Sequence, residues 1–139
     1  MINNEIDTRI FRPTPSEVKT RLRDQIIGIR KTDSVKELAE LYTAAHVFVN
    51  PTYEDNCPTT NLESLSCGTP VITYRTGGSA EAVEESGAGS IVPQGDIDAL
   101  AEAIMELPDF DRTKSLYDCD EKQRYQEYLT LYHQIVMKK

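Results

Sequence analysis

At 139 residues, with 39% apolar and 27% charged side chains, the chain is long enough to bury a core of its own. Its net charge of −8 argues against a nucleic-acid groove, which needs a basic stripe to displace counterions. No apolar run approaches bilayer length, the start "MINNEIDTRI" has no signal-peptide pattern, and Cys57, Cys67 and Cys119 show no metal-ligand spacing, so free thiols in a reducing cytoplasm are expected.

Residues 3–24 begin irregular and take on helical spacing only after Pro15. Ile26–Ile29 is a short apolar run between charges, which predicts a buried strand. "DSVKELAELYTAAH" then predicts a helix, with Ser34 as cap, Glu37 three residues on, and Val35, Leu38, Tyr42 and Ala45 at helical spacing. "VFVNP" is a second strand stopped by Pro51. After a polar loop, "TTNLESLSCG" makes a helix ended by Gly68, followed by the strand "PVITY". Ser79 is expected to start a short helix, "SIVP" to form a strand, and Asp96 to cap a helix that Pro108 closes. "PDFDRTKS" reads as a polar connection. The last helix carries Tyr125, Tyr128, Tyr132 and Ile135 on one stripe, read as packing.

Strands of four or five residues alternating with helices predict an α/β fold: a Rossmann-like parallel sheet of about four strands with helices on both faces. Ligands in such sheets collect beyond the carboxyl ends of the strands. The loops after Val49 and after Tyr74 both lie there.

Several residues at that edge can bear chemistry, and each has a plainer use. Thr59 and Thr60 open a helix whose first N–H groups lack internal partners and favour a phosphate. Glu63, one turn in, can hold hydroxyls, yet Thr60-x-x-Glu63 is also a capping box, in which Glu63 only bonds the backbone. Asp55 and Glu54 can equally be solvated loop acids. Gly77 and Gly78 allow backbone to approach a ligand closely or make an ordinary turn. Arg30 and Lys31 can meet an anion or remain solvated. Cys57 has no neighbouring base to activate it, and His46 is a lone histidine.

The stretch from Leu38 to Leu107, above all "ELAELYTAAHVFVNPTYEDNCPTTNLESLSCGTPVITYRTGGSAEAV" and "GDIDALAEAI", resembles the carboxyl-terminal domain of glycosyltransferase family 4, retaining enzymes of the GT-B fold. It is similar to the bacterial branch that reads Asp-Asn-x-Pro where other members read Glu-Gly-Phe-Gly. The family's acid-x7-acid pair falls on Asp55 and Glu63. The resemblance implies that Asp55, Asn56 and Cys57 face the donor sugar, that Glu63 holds the nucleotide ribose, and that Thr59 and Thr60 face the diphosphate. It implies that Arg30 to Thr32 pass the base. A nucleotide-diphosphate sugar is then the substrate, with no metal expected.

Residues 2–16 look like the family's interdomain linker, so the expected divisions are a linker-like segment at 1–25, a partial donor domain at 26–110 and a terminal helix at 111–139. The family's first strand-helix-strand, which carries an Arg and a Lys for the diphosphate, has no counterpart here, nor has its acceptor domain. The repair expected for the sheet is direct pairing of Ile26–Ile29 with Val47–Val49. Two readings stay open: a donor-binding part that needs a partner chain or self-association through the last helix, and a remnant that serves as an interaction module. The resemblance places the protein in the cytoplasm or peripherally at the inner membrane face.

Overall fold

The computed structural model describes residues 29, 31–107, 109–117 and 121–137. In chain order these form α1 (Val35–Ala44), β1 (Phe48–Asn50), α2 (Thr59–Ser66), β2 (Val71–Tyr74), α3 (Glu81–Ser86), β3 (Gly89–Val92), α4 (Ile97–Met105) and α5 (Glu121–Val136). The three strands make one parallel sheet in the order β1-β2-β3. Phe48 faces Val71 in register across the first pair, and Val71 faces Gly89 across the second. The α/β reading therefore holds, with three strands among the described residues. The strand expected at Ile26–Ile29, and its pairing with Val47–Val49, lie outside the described residues except for Ile29, which is 51% exposed and in no strand.

Local sequence explains each element. Ser34 caps α1 by accepting from the Glu37 N–H at 3.1 Å, and the Glu37 carboxylate reaches back to the Asp33 N–H at 2.6 Å, so the expected box closes one residue further out. Asp96 caps α4 through the Ala99 N–H, as its type and position predict. Ser79 does not cap α3: its side chain is drawn into a buried polar cluster, and Ala80 takes the cap position. On α1 the buried face is Ala39, Tyr42 and Ala44, whereas Val35 is exposed.

β2 is the centre. Val71, Ile72 and Thr73 are wholly buried and Tyr74 nearly so, and because successive side chains point to opposite faces, both faces of this strand are covered. Val71 packs with Leu62 and Leu65 of α2 and with Ala82 and Val83 of α3, while α4 lies against β2 and β3. Each fully buried Leu in this cluster contributes about 1.5–3 kcal/mol by leaving water.

The connection after α4 does more than its polar sequence predicts. Leu116 and Phe110 pack against the core, the Leu116 N–H donates to the Leu65 carbonyl, and Ser66 Oγ donates to the Tyr117 carbonyl at 3.2 Å. Arg112 donates to the Ala45 and His46 carbonyls at the end of α1. Segment 110–117 thus straps the ends of α1 and α2. The stripe on α5 departs from expectation in the other direction. Tyr125, Tyr128, Tyr132 and Ile135 are between 48% and 66% exposed, so no described element covers this stripe.

Candidate donor site at the carboxyl edge of the sheet

β1 and β2 are parallel neighbours, so the loops that leave them, residues 51–58 and 75–80, emerge at one edge. A buried polar cluster ties these loops to α2. Thr73 Oγ1 donates to the Asn50 carbonyl at 2.9 Å and lies 2.6 Å from Ser79 Oγ. The Asn61 amide donates to the Ser79 carbonyl at 2.9 Å, while its own oxygen accepts from Asn50 Nδ2 at 2.9 Å. Thr76 Oγ1 donates to the Thr52 carbonyl. Asn61, Thr73 and Ser79 are at most 1% exposed. Buried polar atoms are tolerated because they are paired, and here the pairing fixes where both loops start.

The acidic loop rests on the double glycine. The Gly78 N–H donates to the Asp55 carbonyl at 3.1 Å. A Cβ on Gly77 would stand 2.2 Å from the Asp55 carbonyl oxygen, and one on Gly78 only 1.9 Å from that of Asn56. Gly77 also has φ +46, a conformation that side chains disfavour. What approaches these glycines is therefore the protein's own main chain. Asp55 Oδ1 in turn accepts from the Cys57 N–H at 3.1 Å, which curls the loop over the start of α2. Asp55 and Cys57 are half-buried and Asn56 is exposed.

α2 begins after Pro58, which supplies no side-chain cap. The N–H of Asn61 turns back to the Pro58 carbonyl, leaving the N–H groups of Thr59 and Thr60 at the helix mouth without partners among the described residues. Uncapped N–H groups and the helix dipole together favour an anion there.

Glu63 is not the partner in a capping box. Its Oε2 accepts from the Tyr42 hydroxyl of α1 at 3.2 Å, and no bond to Thr60 forms. Burial raises the Glu63 pKa above its ordinary value, and the Tyr42 bond opposes that rise in part. One turn on, burial pushes the Cys67 thiol up to about 12. Lys31 is exposed in the segment before α1, and Arg30 lies outside the described residues. An open hollow of about 570 Å³ beside His46, Ile104, Met105 and Arg112 sits at the opposite, amino end of β1.

The family model described as "Glycosyl transferases group 1" matches residues 10–109. The chain belongs to the group 1 glycosyl transferases. This group 1 domain is 33% identical over 88 residues to D-inositol 3-phosphate glycosyltransferase 2 of Catenulispora acidiphila, an alignment covering 63% of the chain and 20% of that protein. It is 38% identical over 68 residues to the D-inositol 3-phosphate glycosyltransferase of Streptomyces bingchenggensis, covering 49% of the chain and 15% of the relative. Among solved structures it resembles sucrose-phosphate synthase from Thermosynechococcus elongatus, with a TM-score of 0.59 and 30% identity over 76% of the chain and 29% of that structure. The sheet is thus of GT-B type, and the chain spans about a fifth of the relatives it matches. In this group 1 domain no described helix is long and apolar enough to cross a membrane.

The structure brings Asp55, Asn56, Gly77 and Gly78 into direct contact, and places Cys57, Thr59 and Thr60 on the same turn into α2. It adds four residues that the sequence reading passed over: Tyr42, Asn61, Thr73 and Ser79. Asn61 stood inside a predicted helix and Thr73 inside a predicted strand. The available signal was a polar residue at a position the pattern predicts to be buried, which needs a partner.

Proposed function

We propose that the chain is the nucleotide-sugar donor-binding part of a retaining glycosyltransferase of the family 4 type. One observation carries this reading: Glu63, the second acid of the Asp55-x7-Glu63 pair, is not spent on capping its own helix. Membership of the group 1 glycosyl transferases and the names of the relatives support it. In this reading the diphosphate lies at the Thr59–Thr60 mouth, the ribose hydroxyls donate to Glu63, and Asp55, Asn56 and Cys57 border the sugar on a floor set by Gly77 and Gly78. Arg30 and Lys31 border the base.

The acceptor must be held in line with the donor, an orientation worth up to about 7–11 kcal/mol of barrier. In this reading the donor-binding part works with an acceptor domain from a partner chain or a longer parent, at the cytoplasmic side. In this reading the chain does without the Arg and Lys that the resemblance places in the family's diphosphate clamp. Losing two charged hydrogen bonds at roughly 1.5–3 kcal/mol each weakens donor binding by about 10²- to 10⁴-fold. The exposed apolar stripe on α5 favours a second reading, an interaction module that retains the fold alone. Calorimetric titration with UDP-glucose, UDP-N-acetylglucosamine, GDP-mannose and ADP-glucose separates the two. Binding tighter than millimolar that Glu63→Ala abolishes supports the donor site, and the absence of heat with every donor supports the module.

Glu63→Gln gives a further expected outcome with opposite signs for binding and stability. Loss of the charge weakens the donor by about 10- to 100-fold. For stability, a carboxyl whose folded pKa is raised favours the fold while protonated, and that contribution is lost as pH rises through the folded value, above the ordinary 4.5. Glutamine does not ionise. Its melting temperature at pH 7 should therefore equal or exceed that of the wild type, and part of the stability loss between mild acid and neutrality should vanish. A clear drop in melting temperature at pH 7 would contradict this.

A further inference from the structure

We infer that Tyr42 is the positioning residue of the candidate donor site: its hydroxyl holds one oxygen of Glu63 and leaves the other as the acceptor for ligand hydroxyls. The inference deepens the donor-binding reading and rests on it. Tyr42 is 7% exposed, and its ring meets Phe48 edge-on at 5.3 Å. Its main chain is fixed from a third element, since Thr69 Oγ1 donates to the Tyr42 carbonyl at 2.6 Å. The phenol is therefore held in place from α1, β1 and the turn before β2. A buried tyrosine hydroxyl needs a partner, and Glu63 Oε2 serves at 3.2 Å.

From the side of Glu63 the contact matters more. Its carboxylate is half-buried, no cation among the described residues pairs with it, and Oε1 has no hydrogen-bond partner there. The titratable group that acts on it is Tyr42 from α1, while Cys67 just past the end of α2 feels the Glu63 charge in turn; both stay neutral at physiological pH, and burial raises their pKa values further. Among the described residues a single neutral donor thus holds a half-buried anion. Such a carboxylate still seeks hydroxyl donors, which is what a ribose or hexose diol supplies and a phosphate does not. The Tyr42 bond also fixes the charge state: without it only desolvation acts, and the carboxyl stays protonated to higher pH.

Tyr42→Phe removes the hydroxyl while keeping the ring that packs on Phe48. Carbon NMR of the ligand-free, full-length chain follows the Glu63 carboxyl through pH, with Glu63→Gln assigning its resonance. The midpoint should move upward in Tyr42→Phe. In the wild type, the Tyr42 ring carbons should titrate with the Glu63 midpoint, a readout that needs no variant. Affinity for whichever of the four donor sugars binds should fall about 10-fold at pH 7, with the loss on acidification setting in at higher pH than in the wild type. A Glu63 midpoint unmoved by the substitution, or Tyr42 carbons that ignore it, overturns the inference whether or not a donor binds. Failure of the wild type to bind any of the four sugars overturns the donor reading, and the titration then decides on Tyr42 alone.

Discussion

Gly78→Ala should cost about 3–4 kcal/mol of stability and, with it, measurable binding of any nucleotide sugar. The added methyl would lie 1.9 Å from the Asn56 carbonyl oxygen and 2.9 Å from its carbon, inside any tolerable contact. Neither side can yield cheaply. Gly78 is buried and donates to Asp55, and the loop opposite it curls through the Asp55–Cys57 turn into α2. Relief requires the acidic loop to lift away, which displaces Asp55, Asn56 and Cys57 together. Gly87→Ala is the matched control: at φ +64 it carries backbone strain but meets nothing within 4 Å, so it should lose only about 1–2 kcal/mol and leave binding unchanged. Urea unfolding and calorimetry on the two variants check both halves. Equal losses in the two proteins would show that contact with the loop is unimportant.

Asn61→Ala is expected to be comparably severe, by a different route. Asn61 is 1% exposed, and its amide and oxygen serve Ser79 and Asn50 at once. Truncation leaves the Ser79 carbonyl and the Asn50 amide without these partners. At roughly 1–3 kcal/mol per buried unsatisfied group the loss is about 3–4 kcal/mol, a large share of the 5–15 kcal/mol typical of a domain. Asn61→Asp separates hydrogen bonding from volume. It keeps the shape but sets an acceptor, or a buried charge, against the Ser79 carbonyl, and should destabilise at least as much as alanine. Denaturant midpoints of the three proteins decide. An aspartate variant as stable as the wild type would show that only volume counts at this position.

Much of the fold was legible because its cues are local. Ser34 and Asp96 cap as their types and positions predict, and the apolar run at Val71–Tyr74 is the strand buried on both faces. The carboxyl edge followed from alternation of strands and helices alone. Local chemistry misled, or left two readings open, where long-range partners overrule it. Ser79 looked like a cap, yet Thr73 and Asn61 claim its hydroxyl. Thr60 and Glu63 had the spacing of a capping box, but Tyr42, 21 positions earlier, takes the carboxylate. The segment after α4 is polar in composition and nonetheless docks, because Arg112 satisfies carbonyls at the end of α1 and Leu116 enters the core. The tyrosines of α5 have the periodicity of a packed face, and periodicity does not say whether a face has anything to pack against. Asp55 was singled out through the resemblance, which sets it eight positions before Glu63. No local rule could show that its carbonyl, rather than its carboxylate, is what Gly78 holds.

That last contact separates the shape of the loop from its composition. Gly78 receives the carbonyls of Asp55 and Asn56, and Thr52 receives that of Glu54, whereas the side chains of Glu54 and Asn56 are left exposed. On the donor-binding proposal, substitution at these two exposed positions changes what borders the sugar without disturbing the scaffold beneath. The rim of the loop is therefore free to change its side chains, while a methyl group at either glycine collides with the main chain beneath it.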